Sequence, residues 1–189
     1  VVIAGINGKP LFSSDINVPL AVDPQEVKKR EPSESFFSNV GKELILQAAD
    51  KSVIVAQPSE VDDEIRTIFE TQAIPEDRFN KWITDNFGSM EKFRQIVAQR
   101  LAINKLLEDM AIMDIQDSEL KKTKILEMLG DLFKSADVKI YDGKLREQIH
   151  AKVGHDDWKT FWPRMLNADS ELRALLMGRN ANLTAQSNN

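Results

Sequence analysis

Only two stretches of this chain read as β-structure, and they stand at opposite ends of a long helical run. The first is VVIAGI followed at once by Asn7-Gly8 and KPLF. Asn-Gly between apolar runs predicts a hairpin, because both central positions of a type I′ turn need φ > 0. Pro10 has no amide hydrogen, so the return strand belongs at an edge. The second is Asp137-Val-Lys-Ile-Tyr, where Val138 and Ile140 alternate with Lys139 and Tyr141 before Asp142-Gly143 ends the run. A lone strand does not stand by itself. It must pair with the N-terminal hairpin, which closes the two ends of a helical core onto one another.

Residues 13–35 hold Pro19, Pro24 and Pro32 and read as a loop with one helical turn. From Ser33 the period becomes helical. Phe36, Phe37, Val40, Leu44, Ile45 and Ala48 share a broad face of a helix expected to reach about Val55. Pro58 is read as its stop and Ser59 as the next N-cap, with Ser59 and Asp62 spaced like a capping box. Val61, Ile65, Ile68 and Phe69 form that helix's buried stripe. Pro75-Glu-Asp opens a further helix with Phe79, Trp82, Ile83 and Phe87, and Gly88 follows as its C′ residue. Ser89 caps a long helix expected to reach Met113, and Asp117 caps another in which Gly130 invites a kink or an early end. Beyond Gly143 the chain predicts helices over 144–153, around Trp158–Leu166 and over 170–177, then a disordered polar tail. The fold class is mainly α with a small antiparallel sheet. A core domain over 1–142, a helical extension over 143–178 and a tail over 179–189 complete the organisation.

Composition narrows the chemistry. With no cysteine, disulfides, Cys-ligated zinc, iron–sulfur clusters and thiol catalysis are excluded. A net charge of −5 argues against nucleic acid, whose binding depends on phosphate neutralisation. No apolar run reaches the roughly 18 residues of a membrane-spanning helix. The two histidines, His150 and His155, lie beside Asp156 and Asp157, but their i, i+5 spacing across Gly154 sets up no metal or catalytic geometry. His155 or Asp156 reads instead as a cap for the tryptophan helix. From Glu60 to Asp77 seven acids face one base, a local charge of −6. Acids gather at helix N-termini, and two helices start here; the calcium-loop spacing is missing. Asn182-Leu-Thr matches a glycosylation sequon and is read as coincidence. No phosphate loop and no nucleophile elbow is present, so no catalytic residue, metal or cofactor is expected.

The order of elements resembles the N-terminal chaperone domain of SurA-type periplasmic chaperones and their parvulin-linked relatives. The opening strand, its Asn7-Gly8 turn and the following Asp15 match that family's start. Val55 to Ile65 loosely matches its V-x-x-E-V-D-x-x-I segment. Phe93 to Leu106 matches its long F-R-x-x-I helix, and Ala136 to Ile140 its closing A-D-V-x-I strand. The resemblance covers roughly residues 1–142, and residues 143–189 match nothing in it. Where most of the family inserts an isomerase domain of about 90 residues, only the short stretch from Asp114 to Leu120 intervenes here. Gly130-Asp-Leu-Phe is a chance echo of the isomerase's glycine-rich segment.

The resemblance therefore implies a binding protein without prolyl isomerase activity. It would be ATP-independent, periplasmic or otherwise exported, and would hold unfolded or partly assembled envelope proteins. A chain opening at Val1 rather than Met agrees with a removed leader. The expected client-binding residues are Trp82, Phe87, Met90, Met110, Met113, Trp158, Phe161, Trp162 and Met165. Methionine and aromatic surfaces suit promiscuous recognition because they repack around different partners. Ordinary core is the competing reading for each. A dedicated assembly subunit is the alternative function: its Trp158–Leu166 helix would dock one fixed partner or a second copy of the chain.

Overall fold

The computed structural model describes residues 1–22, 30–153 and 170–177. Strands β1 (Val2–Ile6) and β2 (Lys9–Phe12) form the hairpin, and a single turn, α1 (Ser13–Ile16), follows. The long helices are α2 (Pro32–Lys51), α3 (Pro58–Gln72), α4 (Glu76–Phe87), α5 (Met90–Asp109) and α6 (Ser118–Ser135). Strand β3 (Val138–Ile140) and helices α7 (Gly143–Val153) and α8 (Ser170–Met177) complete the described chain. The protein is mainly helical with one small antiparallel sheet, as the sequence predicts.

The sheet order is β2-β1-β3. The returning strand pairs with the hairpin, Ala4 opposite Ile140 and Ile6 opposite Val138. β2 with Pro10 is an edge strand, so the missing amide hydrogen costs no ladder bond. At the turn Asn7 has φ 51° and Gly8 φ 82°, the left-handed pair that a type I′ turn requires.

Two apolar clusters share α5 as a common spine. The larger joins the sheet to α2, the C-terminal half of α5, α6, α7 and α8, with Phe36, Phe37, Ile45, Ile103, Leu107 and Phe133 at its centre. The expected extension beyond residue 142 contributes to it directly, through Leu145 and Ile149 of α7 and Leu172, Leu175 and Leu176 of α8. The smaller joins α3 and α4 to the N-terminal half of α5 around Phe79, Ile83, Phe87 and Phe93. Removing these faces from water, at about 25 cal/mol per Å² of apolar surface, is what holds α3 and α4 to the spine.

Several helix boundaries differ from the sequence reading. α2 ends at Lys51 rather than Val55, and α5 at Asp109 rather than Met113. Both endings place a non-glycine residue in the left-handed region, Val53 at φ 57° and Ala111 at φ 56°. In each the next amide bonds back across the last turn, Ile54 N to Ala49 O at 2.9 Å and Ile112 N to Leu107 O at 2.8 Å. Ile112 is core, and Ile54 packs against it. This is the Schellman arrangement without its usual glycine, so the sequence carried no stop signal. α3 is capped two residues earlier than expected, by Gln57 rather than Ser59. Pro58 occupies its first turn, and the capping box joins Gln57 and Glu60, not Ser59 and Asp62. Pro tolerates that position because the first-turn amides have no intrahelical acceptor. Pro75 is likewise the residue before α4, not its first. α6 runs through Gly130 to Ser135, held by Leu129 and Phe133 in the core. Ser89 and Asp117 cap α5 and α6 as read, accepting from Lys92 N and Leu120 N.

Candidate functional site

Of the residues expected to bind clients, the five that are described do not share one surface. Trp82 is half-buried inside an aromatic cluster, with ring centroids 5.4 Å from Phe87, 5.8 Å from Phe93 and 5.9 Å from Phe79. Phe87 is core, 5% exposed. Met90 is 40% exposed at the start of α5, while Met110, 45% exposed, lies just past its other end. At 1.5 Å per residue the two are about 30 Å apart, so they do not serve one small surface. Met113 packs half-buried against the larger cluster. Trp158, Phe161, Trp162 and Met165 lie outside the described residues, as do His155, Asp156, Asp157 and Asn182.

The acidic stretch is accounted for by helix starts and ion pairs. Glu60 sits in the α3 capping box and also accepts from Lys105 Nζ of α5 at 2.6 Å. Those bonds hold its carboxyl below the ordinary 4.5, the Lys105 bond first and the Gln57 amide second. Asp62 pairs with Arg94 of α5, and Glu76 and Asp77 occupy the first turn of α4. Glu60 and Asp62 dock α3 onto α5. Among the described residues no group of three or more His, Asp or Glu side chains could hold a metal, and no helix is long and apolar enough to cross a membrane.

The structure instead assembles a cleft of about 240 Å³ that no sequence signal marked. Its walls are β2 from Lys9 to Phe12, Asp15 of α1, Val18, one face of α2 and one face of α5. α2 contributes Asn39, Lys42 and Glu43, and α5 contributes Lys92, Gln95, Ile96 and Gln99. These are i, i+3, i+4 sets, which project from one side of a helix and converge where two helices face each other. The apolar part is Pro10, Leu11, Phe12, Val18 and Ile96, with Phe12 41% exposed.

The polar part is partly self-neutralised. Lys9 pairs with Glu43 at 2.9 Å, and Gln47 Nε2 also donates to that carboxylate at 2.9 Å. Lys92 pairs with Asp15 at 3.1 Å. Asn39 Nδ2 donates to Ser35 O at 2.8 Å. Among the described residues Lys42 is a third ammonium with no ion-pair partner. Burial lowers its pKa from 10.5 to about 8, opposed by the negative charges of Glu43 and Asp15 and aided by Arg30 and Lys92. On the facing helix Gln99 Oε1 is buried and accepts no hydrogen bond. A buried acceptor left open costs free energy, so such an atom is a point of demand for a donor. In the sequence these residues look like the solvated rim of two amphipathic helices; only the approach of α2 to α5 turns the rims into a cleft.

Against known proteins the chain matches no family model, no curated protein and no solved structure.

Proposed function

We propose that this protein binds exposed segments of other polypeptides and holds them without nucleotide, in the manner of a chaperone that lacks prolyl isomerase activity. Its clients on this reading are unfolded or partly assembled exported envelope proteins. One observation carries the reading. The cleft between β2, α2 and α5 places amide and ammonium groups beside an apolar wall and along an edge strand. A peptide in extended form needs that mixture, because its backbone demands hydrogen-bond partners while its side chains gain by leaving water. The cleft is narrow, so affinity per contact is weak and reversible once client ordering is subtracted. The element order from the Asn7-Gly8 hairpin to the closing 138–140 strand supports the same assignment.

The test is light scattering from an unfolded outer-membrane β-barrel chain, diluted out of denaturant with and without this protein at near-equal concentration. Suppression without ATP, weakened by Phe12→Ser in a variant that melts like the parent, is the expected outcome. No suppression by a well-folded sample overturns the reading and turns attention to a single fixed partner for the chain.

A further inference from the structure

We propose that the cleft between β2, α2 and α5 receives the free C-terminal end of a polypeptide, Lys42 meeting the terminal carboxylate and Gln99 Oε1 accepting from the last peptide N–H. This rests on the polypeptide-binding reading above and specifies which part of the client the cleft takes.

The charge inventory points to a single negative charge. Among the described residues three ammonium groups and two carboxylates line the cleft, Lys9, Lys42 and Lys92 against Asp15 and Glu43. Two ion pairs occupy Lys9 with Glu43 and Lys92 with Asp15. Lys42 is the remainder: it makes no ion pair or hydrogen bond with a described residue, although its surroundings disfavour its charge by burial. An unpartnered cation in a confined, partly dehydrated site attracts an anion more strongly than a surface lysine does. A dianion would exceed the surplus, whereas a carboxylate matches it.

The acceptor narrows the ligand further. Gln99 lines the same cleft, and its Oε1 is buried with no donor among the described residues. Carboxylate and N–H must therefore arrive together, which the last residue of a peptide provides within its own backbone. The apolar wall of Phe12, Val18 and Ile96 then faces that residue's side chain. The volume of about 240 Å³ is below the roughly 300–1,000 Å³ of sites that enclose a whole drug-sized ligand. It fits the end of a chain.

The experiment compares fluorescence anisotropy of N-terminally labelled apolar decapeptides bound to the full chain. One peptide ends in a free carboxylate, a second in a carboxamide, and a third is amidated but carries an internal glutamate. The free carboxylate is expected to bind at least tenfold tighter than the other two. Lys42→Met should abolish that preference, and Gln99→Leu should weaken the free peptide severalfold. Lys42→Gln is the second variant, keeping a polar side chain if the methionine form folds poorly. Equal binding of free and amidated peptides overturns the C-terminal assignment while leaving polypeptide holding intact. A preference that survives both Lys42 variants, or equal binding of the internal glutamate, overturns it as well. Inorganic phosphate displacing the free peptide at its own dissociation constant would show a plain anion site and has the same consequence. Failure of all three peptides to bind overturns this proposal together with polypeptide capture at the cleft.

Discussion

Asn7 and Asp137, 130 residues apart in the chain, exchange two hydrogen bonds. Asp137 N donates to Asn7 Oδ1 at 2.8 Å, and Asn7 N donates to Asp137 O at 2.7 Å. Asn7 Nδ2 also donates to Gln47 Oε1 at 2.8 Å, and Gln47 Nε2 reaches Ile6 O at 3.1 Å. One turn residue thus fastens the hairpin, the closing strand and α2 together.

Its two roles are separable. Asn7→Gly keeps the left-handed backbone and loses the side-chain clasp, so it should destabilise by about 1 kcal/mol. Asn7→Ala loses the clasp and strains φ as well, for about 2 kcal/mol in all. Urea unfolding monitored by circular dichroism measures both. Equal cost for the two variants would mean that backbone conformation contributes nothing at this site.

Val53 closes α2 in a left-handed conformation that β-branched residues disfavour, and it is 85% exposed. Val53→Gly or Val53→Asn should therefore raise stability by about 1 kcal/mol, the conformational relief exceeding any lost contact. A lower thermal midpoint for both variants would contradict this account of the helix end.

Glu60 gives a pH signature. Its folded pKa lies below 4.5, so its contribution is present above 4.5 and is lost as pH falls through the folded value. Glu60→Gln removes the charge that both Lys105 and the capping box use. The stability gap between parent and variant should shrink from neutral pH to below 4.5, read by denaturant titration at each pH.

Lys42 contributes a penalty where Glu60 contributes stabilisation. Its folded pKa is about 8 against 10.5, so folding opposes its charge fully below pH 8. The penalty is relieved as pH rises from about 8 to 10.5, and stability should climb across that window relative to Lys42→Met. The charges facing it are Glu43 and Asp15, which favour the ammonium, and Arg30 and Lys92, which oppose it. At neutral pH Lys42→Met should be the more stable by about 1 kcal/mol.

Phe93 is fully buried and touches three aromatic rings, with centroids 4.9 Å from Phe87, 5.8 Å from Trp82 and 6.1 Å from Phe79. Phe93→Ala should cost about 3–5 kcal/mol and shift the emission of Trp82. A loss below 1 kcal/mol would mean the smaller cluster collapses to fill the space.

Much of the fold was legible because its signals are local. Asn7-Gly8 specifies a turn by backbone conformation, Ser89 and Asp117 cap by reach to nearby amides, and the stripe Phe79, Ile83, Phe87 declares a buried face by period alone. The ends of α2 and α5 were illegible because Val53 and Ala111 take a glycine's conformation. The energy that holds them there comes from Ile54 and Ile112 packing into the core, contacts made across the fold. The α3 cap was misplaced for a related reason: Pro58 serves equally as a stop or as a first-turn residue, and the Gln57–Glu60 box competes with Ser59–Asp62 in sequence.

The cleft lies at the far limit of what sequence expresses. The amino-acid order determined a mainly helical chain whose terminal strands must meet, since an unpaired strand leaves its amides and carbonyls unsatisfied. Which polar residues would face one another was decided by how closely α2 and α5 pack across the larger core. Asn39 and Lys42 on one helix and Gln95 and Gln99 on the other are solvated in any isolated segment. The desolvation of Asn39, Lys42 and Gln99, and with it the lowered pKa of Lys42 and the open acceptor on Gln99, exists only once the sheet and both helices close around the same space.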